Sequence, residues 1–241
     1  MFWRLGVYLW EMFPPHYALA SGLLGLSYFL ALSVLTSFDF PFERVEVYLS
    51  LLSLIFMSLI VRIMDEFKDY KDDFVYFPHR PIPSGRVHLS DLKVLQTFNF
   101  SIVLILNLYN KDVLLGAVCC LIYSLLMYKW FFIEKTMRKS LPLAFVTHNP
   151  VTLVYFIYLF IVFKEVLFSS GLSWGYYFIC LPLVLTLSNW EVSRKLKNPE
   201  DENKYTTYSK IWGIRKATYI ALILQAISYL GVFFFFYFSS S

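Results

Sequence analysis

Five acidic side chains lie within nine residues at the end of a long apolar segment. They are Asp65, Glu66, Asp69, Asp72 and Asp73. On a helix, positions 65, 69 and 73 lie on one face, where their like charges repel one another. Carboxylates are costly near lipid and usually mark function there, and oxygen donors of this kind suit Mg²⁺ together with substrate phosphates. The simpler interpretation is a solvated helix end, in which Lys68 and Lys71 soften the repulsion.

An arginine-rich turn follows the acidic residues. Residues 80–86 read Arg-Pro-Ile-Pro-Ser-Gly-Arg. The two prolines fix φ and the glycine allows a tight reversal. We expect the turn to direct Arg80 and Arg86 back toward the acidic helix, where guanidinium groups would hold phosphate oxygens. Ser90 is the expected N-cap of the next helix, with Asp91 in its first turn.

The elements that position these groups are predicted to be membrane-spanning helices. Of the 241 residues, 58% are hydrophobic and only 16% are charged, whereas soluble domains are nearer half apolar and a quarter charged. Seven stretches approach the roughly 20 residues that a span requires. They are 17–35, 45–64, 92–109, 113–130, 141–163, 175–189 and 217–238. We predict an all-α, polytopic transmembrane bundle in one domain over residues 1–241, with residues 1–15 as an interfacial segment.

The lysines and arginines indicate an orientation. Eighteen of the 21 fall in the N-terminal segment and in the loops 62–93, 129–139 and 194–216, against three on the other side. By the positive-inside rule, the N-terminus and these loops are cytoplasmic and the C-terminus is on the opposite side. The basic residues flank the membrane and form no nucleic-acid-binding motif, so no nucleic-acid partner is expected.

The first cytoplasmic loop resembles the first signature of the UbiA superfamily of intramembrane prenyltransferases. That family carries Asn-Asp-x-x-Asp-x-x-x-Asp, followed by Arg-Pro-x-x-Ser-Gly-Arg. Asp65, Glu66, Asp69 and Asp73 match the spacing, with Asp for Asn and Glu for the first Asp, and residues 80–86 match the turn without a gap. The resemblance implies a helical bundle whose cytoplasmic signature loops lie over a central cavity. Family members usually have nine spans, two more than we predict.

The loop after the sixth predicted span departs from the family's second signature, which normally offers aspartates for a second Mg²⁺. Glu191 stands at the place of the first of these, but Arg194 and Lys195 stand where more carboxylate is expected. Residues 207–213 resemble the end of the family motif. The two cations would either neutralise diphosphate directly or bind a phosphorylated acceptor. Otherwise the site has lost ordinary prenyl transfer, or the cations only anchor the loop at the membrane. The acidic residues 200–202 are either substitute ligands or a solvated cap.

The resemblance implies Mg²⁺-dependent transfer of a polyprenyl group from its diphosphate to an aromatic or phosphorylated acceptor at the membrane. The implied metal ligands are Asp65, Glu66, Asp69, Asp73 and Glu191. The implied diphosphate-binding residues are Arg80, Arg86, Lys129, Arg194 and Lys195, and the implied catalytic residues are Asp69, Arg194 and Lys195. Membrane lipid or a second copy of the chain would complete the wall of the cavity. Two other functions stay open: cyclisation of a prenyl diphosphate, and transport by a seven-span protein without catalysis.

Overall fold

The computed structural model describes residues 1–36, 44–169, 175–202 and 207–239. These residues form twelve α-helices and two short 3₁₀ turns, and no strand is found among them. The helices are α1 (Phe2–Met12), α2 (Pro15–Thr36), α3 (Val45–Lys68), α4 (Tyr70–Tyr76), α5 (Leu89–Leu106), α6 (Lys111–Tyr128), α7 (Glu134–Met137), α8 (Leu141–His148), α9 (Val151–Ser169), α10 (Gly175–Ser193), α11 (Tyr208–Trp212) and α12 (Ile214–Ser239). The predicted all-α fold class is confirmed. Lys204, which was included in the charge count, lies outside the described residues.

Five helical segments are long and apolar enough to cross a bilayer. They are Val45–Lys68, Leu89–Leu106, Lys111–Tyr128, Leu141–Lys164 and Ile214–Phe234. These match five of the predicted spans, and the chain is an integral membrane protein. The remaining two predicted spans coincide with α2 and α10, whose side chains are described only in part. The total of seven spans and the orientation of the termini therefore stay predictions.

The chain divides into two compact units. The first contains α1, α2 up to Phe29, α3 to α6 and residues 157–162 of α9. The second contains the rest of α2, α7, α8, the rest of α9 and α10 to α12. The helix break between α8 and α9 falls at Pro150, which has no backbone N–H to continue the helical hydrogen-bond pattern. The single domain over residues 1–241 stays a prediction, because each unit is described by its own packing.

The first unit is held together by an apolar cluster and by a buried polar network. The cluster contains Tyr8, Met12, Leu59, Ile63, Ile82, Val87 and Leu92. In the network, Asn107 Nδ2 donates to Ser53 Oγ at 3.0 Å and the Tyr158 hydroxyl donates to Asn107 Oδ1 at 2.7 Å. Hydrogen bonds between helices satisfy polar groups that lipid cannot satisfy. The network therefore joins α3, the end of α5 and α9 through buried hydrogen bonds.

Polar contacts also join α10 to α12 in the second unit. The Ser228 hydroxyl donates to the Pro182 carbonyl at 2.8 Å, and Asn189 Nδ2 donates to Gln225 Oε1 at 2.6 Å. Hydrogen bonds of this kind between neighbouring helices satisfy polar groups that lipid cannot satisfy. Gly231 faces Pro182 so closely that an added Cβ would lie 3.0 Å from the proline ring. This close contact fixes α10 against α12 and so positions the loop that begins at the end of α10.

Candidate functional site

The acidic residues of the first loop keep helical spacing across the junction of α3 and α4. Asp69 separates the two helices, with φ −101° and ψ 8°. Its amide donates to the Asp65 carbonyl at 2.8 Å, and the Asp73 amide donates to the Asp69 carbonyl at 2.9 Å. Both bonds have the i to i−4 pattern of an α-helix. The predicted i, i+4, i+8 course of the carboxylates is therefore present in the backbone.

Cations of the same unit neutralise three of these carboxylates. Lys68 Nζ lies 3.0 Å from Asp65, and Arg62 Nη2 donates to Glu66 Oε1 at 2.6 Å. Arg80 Nη1 donates to both carboxylate oxygens of Asp73, at 2.8 and 2.9 Å. Glu66 and Asp73 are buried, with 2% and 6% of their surface exposed. Without these partners, the buried carboxylates would be strongly destabilising.

Sequence reasoning did not place Arg62 at this site. It was counted only as one of the positive charges of the cytoplasmic loop. The signal in the sequence was its spacing of four residues to Glu66, which places the two side chains next to each other on a helix. Arg62 Nε also donates to the carbonyl of Met12 at 3.2 Å. One guanidinium therefore joins α3 to the end of α1 and holds the most deeply buried of the acidic side chains.

The oxygen donors fit Mg²⁺ in kind, since carboxylates are its usual protein ligands. Within the residues that the structure describes, however, no three Asp, Glu, His or Cys side chains are gathered closely enough to hold a metal ion. Asp65, Glu66 and Asp73 each face a cation of the protein instead. These carboxylates would have to turn away from the cations before they could hold a metal together. The predicted magnesium ligands therefore stay a prediction.

The arginine-rich turn is fixed by its own backbone and by two buried apolar side chains. The Ser84 amide donates to the Arg80 carbonyl at 3.0 Å, and the Val87 amide donates to the Pro81 carbonyl at 3.0 Å. Gly85 has φ +76°, in the left-handed region that glycine adopts without strain. The side chains of Ile82 and Val87 are buried in the apolar cluster of the first unit. The turn is thus a rigid support for the arginines at its two ends.

The two arginines of the turn point to different partners. Arg80 reaches the acidic residues as predicted, and its guanidinium lies 3.9 Å from the centre of the Phe77 ring. The expectation was wrong for Arg86, because Glu11 of α1 offers a competing carboxylate. Arg86 Nη2 donates to Glu11 Oε2 at 2.8 Å and to the His79 carbonyl at 2.9 Å. This hydrogen bonding lowers the pKa of Glu11 and raises the pKa of Arg86.

A second bidentate ion pair docks the other end of α1. Arg4 Nε and Nη2 donate to the two carboxylate oxygens of Asp91 at 2.7 and 3.0 Å. Asp91 also accepts the backbone N–H of His88 at 3.2 Å. Because this carboxylate reaches back to residue 88, α5 begins at Leu89 with His88 as its N-cap. The prediction that Ser90 is the N-cap was therefore wrong, whereas Asp91 is in the first turn as expected.

The docked face of α1 buries one tyrosine beside the acidic residues. Tyr8 has no exposed surface, and its hydroxyl has no hydrogen-bond partner among the described residues. Burial raises the pKa of Tyr8, and the nearby negative charge of Glu66 raises it further. Trp3 and Trp10, by contrast, are 83% and 73% exposed, which suits a helix in the membrane interface. The sequence did not indicate that α1 docks against the first loop.

Lys129 ends α6 and is followed by an unusual aromatic turn. The Lys129 ammonium lies 5.0 Å from the centre of the Tyr128 ring. Residues Trp130–Phe132 all have positive φ, between 49° and 62°, which is costly for residues other than glycine. This turn places the Trp130 ring 4.6 Å from Lys68 Nζ. The lysine that pairs with the first acidic residue is thus held by an aromatic ring as well.

The loop that carries the second signature, which begins at the end of α10 and is called the second loop from here on, forms its own ion cluster in the second unit. Lys195 Nζ lies 2.8 Å from Glu191 Oε1, and Arg194 also donates to this carboxylate. The two cations lie over aromatic rings, Arg194 over Trp190 at 5.1 Å and Lys195 over Tyr208 at 5.7 Å. Such cation–π contacts orient the charged groups. The structure therefore brings Glu191 and its two predicted cationic neighbours together.

Hydrogen bonds from two hydroxyl groups close the second loop on Glu202. Thr207 and Ser209 both donate to Glu202 Oε1 at 2.6 Å, and this lowers the pKa of Glu202. The Lys197 amide donates in turn to Ser209 Oγ at 2.9 Å. Of the two interpretations of residues 200–202, the geometry of Glu202 favours a structural one. Its carboxylate joins the loop to the start of α11.

Comparison with known proteins identifies the fold. No family model matches the chain, and no curated protein is significantly similar to it in sequence. A solved structure of digeranylgeranylglyceryl phosphate synthase, studied in membranes, aligns with 95% of this chain and 76% of its own chain, with a TM-score of 0.61 and 18% identity. The chain has a UbiA-like fold.

The likeness confirms the fold that the first-loop motif predicted. The identity is only 18%. The activity, the acceptor and the metal of the solved enzyme therefore cannot be assigned to this chain from the likeness, because one fold hosts many functions. In this UbiA-like chain the first signature lies in the first unit and the altered second signature lies in the second unit. Function has to be argued from the side chains of these two loops.

Proposed function

We propose that this protein transfers a polyprenyl group from a polyprenyl diphosphate to an acceptor at the membrane, in a Mg²⁺-dependent reaction. The observation that carries the proposal is the buried ion cluster at the end of α3, in which Glu66 and Asp73 are held by guanidinium groups. Ionisable groups of this kind in an apolar helical protein usually serve function. The UbiA-like fold, shared with a membrane prenyltransferase, supports the same assignment.

Asp65, Glu66, Asp69 and Asp73 are the proposed holders of the metal. Magnesium bound there would stabilise the diphosphate as a leaving group. Arg80 would then move from its carboxylate partner to a phosphate oxygen, which matches a guanidinium equally well. Arg86 and Lys129 are proposed as further contacts of the diphosphate. Arg86 must leave Glu11 to make such a contact.

In the reaction, the bond between the allylic carbon and the diphosphate oxygen breaks, and its electron pair leaves with the diphosphate. The acceptor's nucleophilic atom forms the new bond to that carbon and loses its proton. Arg80 would stabilise the negative charge that develops on the leaving oxygen. The apolar helices would exclude water, which otherwise competes with the acceptor for the carbocation.

Arg194 and Lys195 are the proposed phosphate-binding groups of the second loop. Glu191 holds both cations at one place in the described structure. The sequence-based assignment of Glu191 as a metal ligand requires it to release both cations first. Between the two acceptor classes, these cations favour a phosphorylated acceptor. The name of the structural neighbour, a synthase of a glyceryl phosphate, points to the same class.

The proposal is tested by purified protein in lipid nanodiscs with labelled geranylgeranyl diphosphate and Mg²⁺. One arm contains no acceptor, a second contains a prenylated glycerol phosphate and a third contains a phenolic acid. We expect labelled product and released pyrophosphate in the second arm, and neither after chelation of Mg²⁺.

The arms separate the other functions. Product only with the phenolic acid would assign the aromatic acceptor class, and a cyclic hydrocarbon without any acceptor would assign a cyclase. No pyrophosphate release in any arm, with ion or solute flux in liposomes, would replace the transferase by a transporter. Cytoplasmic orientation of the two loops is tested separately, by labelling of single cysteines in inside-out and right-side-out vesicles.

A further inference from the structure

Helix α1 contains a buried polar atom for which the described residues offer no hydrogen-bond partner. Tyr8 is fully buried in the apolar cluster that also contains Leu59 and Ile63 of α3, yet its hydroxyl has no hydrogen-bond partner among the residues that the structure describes. Buried polar groups in folded proteins are almost always hydrogen-bonded, and exceptions point to a role outside the fold itself. A tyrosine used only for packing could be replaced by phenylalanine without loss.

Tyr8 shares its apolar cluster with Ile63 of α3, which lies about one helical turn before Glu66. The charged groups that act on it electrostatically are Glu66, Arg62 and Asp65, in that order. Arg62 donates to Glu66 Oε1 at 2.6 Å, and no hydrogen bond joins Tyr8 to Glu66 among the described residues. The phenol hydroxyl is a donor at neutral pH. The Tyr8 hydroxyl is therefore a neutral hydrogen-bond donor that has no acceptor among the described residues.

The position of Tyr8 is fixed from both sides. Arg4, Tyr8 and Glu11 are four and three residues apart, so they lie on one face of α1. Arg4 is bound by Asp91 through two hydrogen bonds, and Glu11 is bound by Arg86 through two more. Asp91 lies in the first turn of α5, and Arg86 ends the arginine-rich turn. In the described structure the tyrosine is thus held between two bidentate ion pairs, and the pair of Arg4 with Asp91 stays in place when Arg86 leaves Glu11 for the diphosphate.

We propose that Tyr8 is a ligand-binding residue whose hydroxyl donates a hydrogen bond to an oxygen of a diphosphate bound at the first loop. This inference rests on the proposed function, since it needs the diphosphate at that loop. Carboxylate groups can only accept hydrogen bonds and would repel the phosphate oxygens. A neutral donor among them adds a hydrogen bond to the phosphate without adding a charge that the carboxylates would have to neutralise. By this assignment α1 is part of the binding site as well as an interfacial anchor.

Tyr8→Phe removes the hydroxyl and keeps the ring that fills the core. We expect the variant to bind inorganic pyrophosphate with Mg²⁺ about tenfold more weakly than the wild type, the usual effect of losing one hydrogen bond to a charged group. The affinity for geranylgeranyl diphosphate should fall by the same factor, because the lost hydrogen bond is to the diphosphate head group. Both affinities are measured by titration calorimetry on the full chain in nanodiscs.

Tyr158→Phe is the matched control. Tyr158 is an equally buried tyrosine of the same unit, but its hydroxyl donates to Asn107. The control should bind both ligands as the wild type does and should unfold at a lower temperature, because it loses a hydrogen bond. Without ligand, Tyr8→Phe should unfold at or above the wild-type temperature, since its missing hydroxyl had no protein partner to lose.

The outcomes separate this inference from the proposed function. If the wild type binds pyrophosphate with Mg²⁺ and Tyr8→Phe binds it within twofold, the role of Tyr8 is refuted while the site assignment stands. If Tyr8→Phe lowers the ligand-free unfolding temperature as much as Tyr158→Phe does, the hydroxyl has a structural partner, and the inference is again refuted. If the wild type binds neither ligand, the proposed function fails and the inference fails with it.

Discussion

Replacement of Arg80 by alanine is expected to affect stability and diphosphate binding by two separable routes. The side chain of Asp73 is 8% exposed and that of Arg80 is 29% exposed. Breaking a fully buried ion pair costs about 3–5 kcal/mol, whereas an exposed pair is worth at most about 1 kcal/mol. Because Asp73 is buried and Arg80 is partly exposed, we expect an intermediate loss of about 2 kcal/mol in the free energy of unfolding. In a chain of this size that corresponds to a fall of roughly 5 °C in apparent Tm.

The effect on binding comes from the same guanidinium acting on the phosphate. A hydrogen bond to a charged group contributes about 1.5–3 kcal/mol, so Arg80→Ala should weaken Mg²⁺-dependent binding of geranylgeranyl diphosphate by at least about tenfold. Arg80→Lys keeps the charge but loses the planar group that stacks on Phe77. We expect it to fall between the wild type and the alanine variant in both measurements.

The double variant Arg80→Ala with Asp73→Asn distinguishes the two routes. It removes the buried charge together with its partner, so the apparent Tm should return close to that of the wild type. Binding should not return, because both groups belong to the proposed site. Thermal unfolding followed by tryptophan fluorescence and calorimetric titration provide the two readouts. If the double variant is as unstable as Arg80→Ala, the ion pair does not carry the stability assigned to it, and the reasoning is refuted.

Two further variants test the second loop and the docking of α1. Glu191→Gln should reduce Mg²⁺-dependent diphosphate affinity by less than threefold, because Glu191 is already paired with two cations. A loss of affinity as large as that of Asp69→Ala would show instead that Glu191 is a metal ligand. The lowered pKa of Glu11 means that its ion pair with Arg86 is fully formed above the ordinary pKa near 4.5 and is lost as the pH falls through the lowered value. Tm measured against pH should therefore fall more steeply below pH 4.5 in the wild type than in Glu11→Gln, and identical curves would contradict this linkage.

Local sequence rules predicted much of the fold and the first loop. The apolar stretches marked the membrane helices because a span needs many consecutive apolar residues. The spacing of Asp65, Asp69 and Asp73 followed from helical pitch, and the turn chemistry directed Arg80 to the acidic side as expected. Each of these features depends on residues close together in the chain, where the geometry is set by the local backbone.

The parts that were missed depend on residues far apart in the sequence. Arg86 pairs with Glu11 across 75 positions, and Arg4 pairs with Asp91 across 87. Spacing rules do not reach so far, so the docking of α1 and the burial of Tyr8 were not predicted. Ser90 was chosen as the N-cap by residue type alone, whereas the start of the helix depends on where the carboxylate of the next residue points.

The central claim is that the acidic cluster at the end of α3 binds a metal that in turn binds an isoprenoid diphosphate. The most direct measurement is equilibrium binding of labelled geranylgeranyl diphosphate to the purified protein in nanodiscs, with and without Mg²⁺, for the wild type and for Asp69→Ala. We predict saturable binding to the wild type that requires Mg²⁺, and none to Asp69→Ala. Equal Mg²⁺-dependent binding to both proteins, or wild-type binding that is unchanged by removal of the metal, would contradict it.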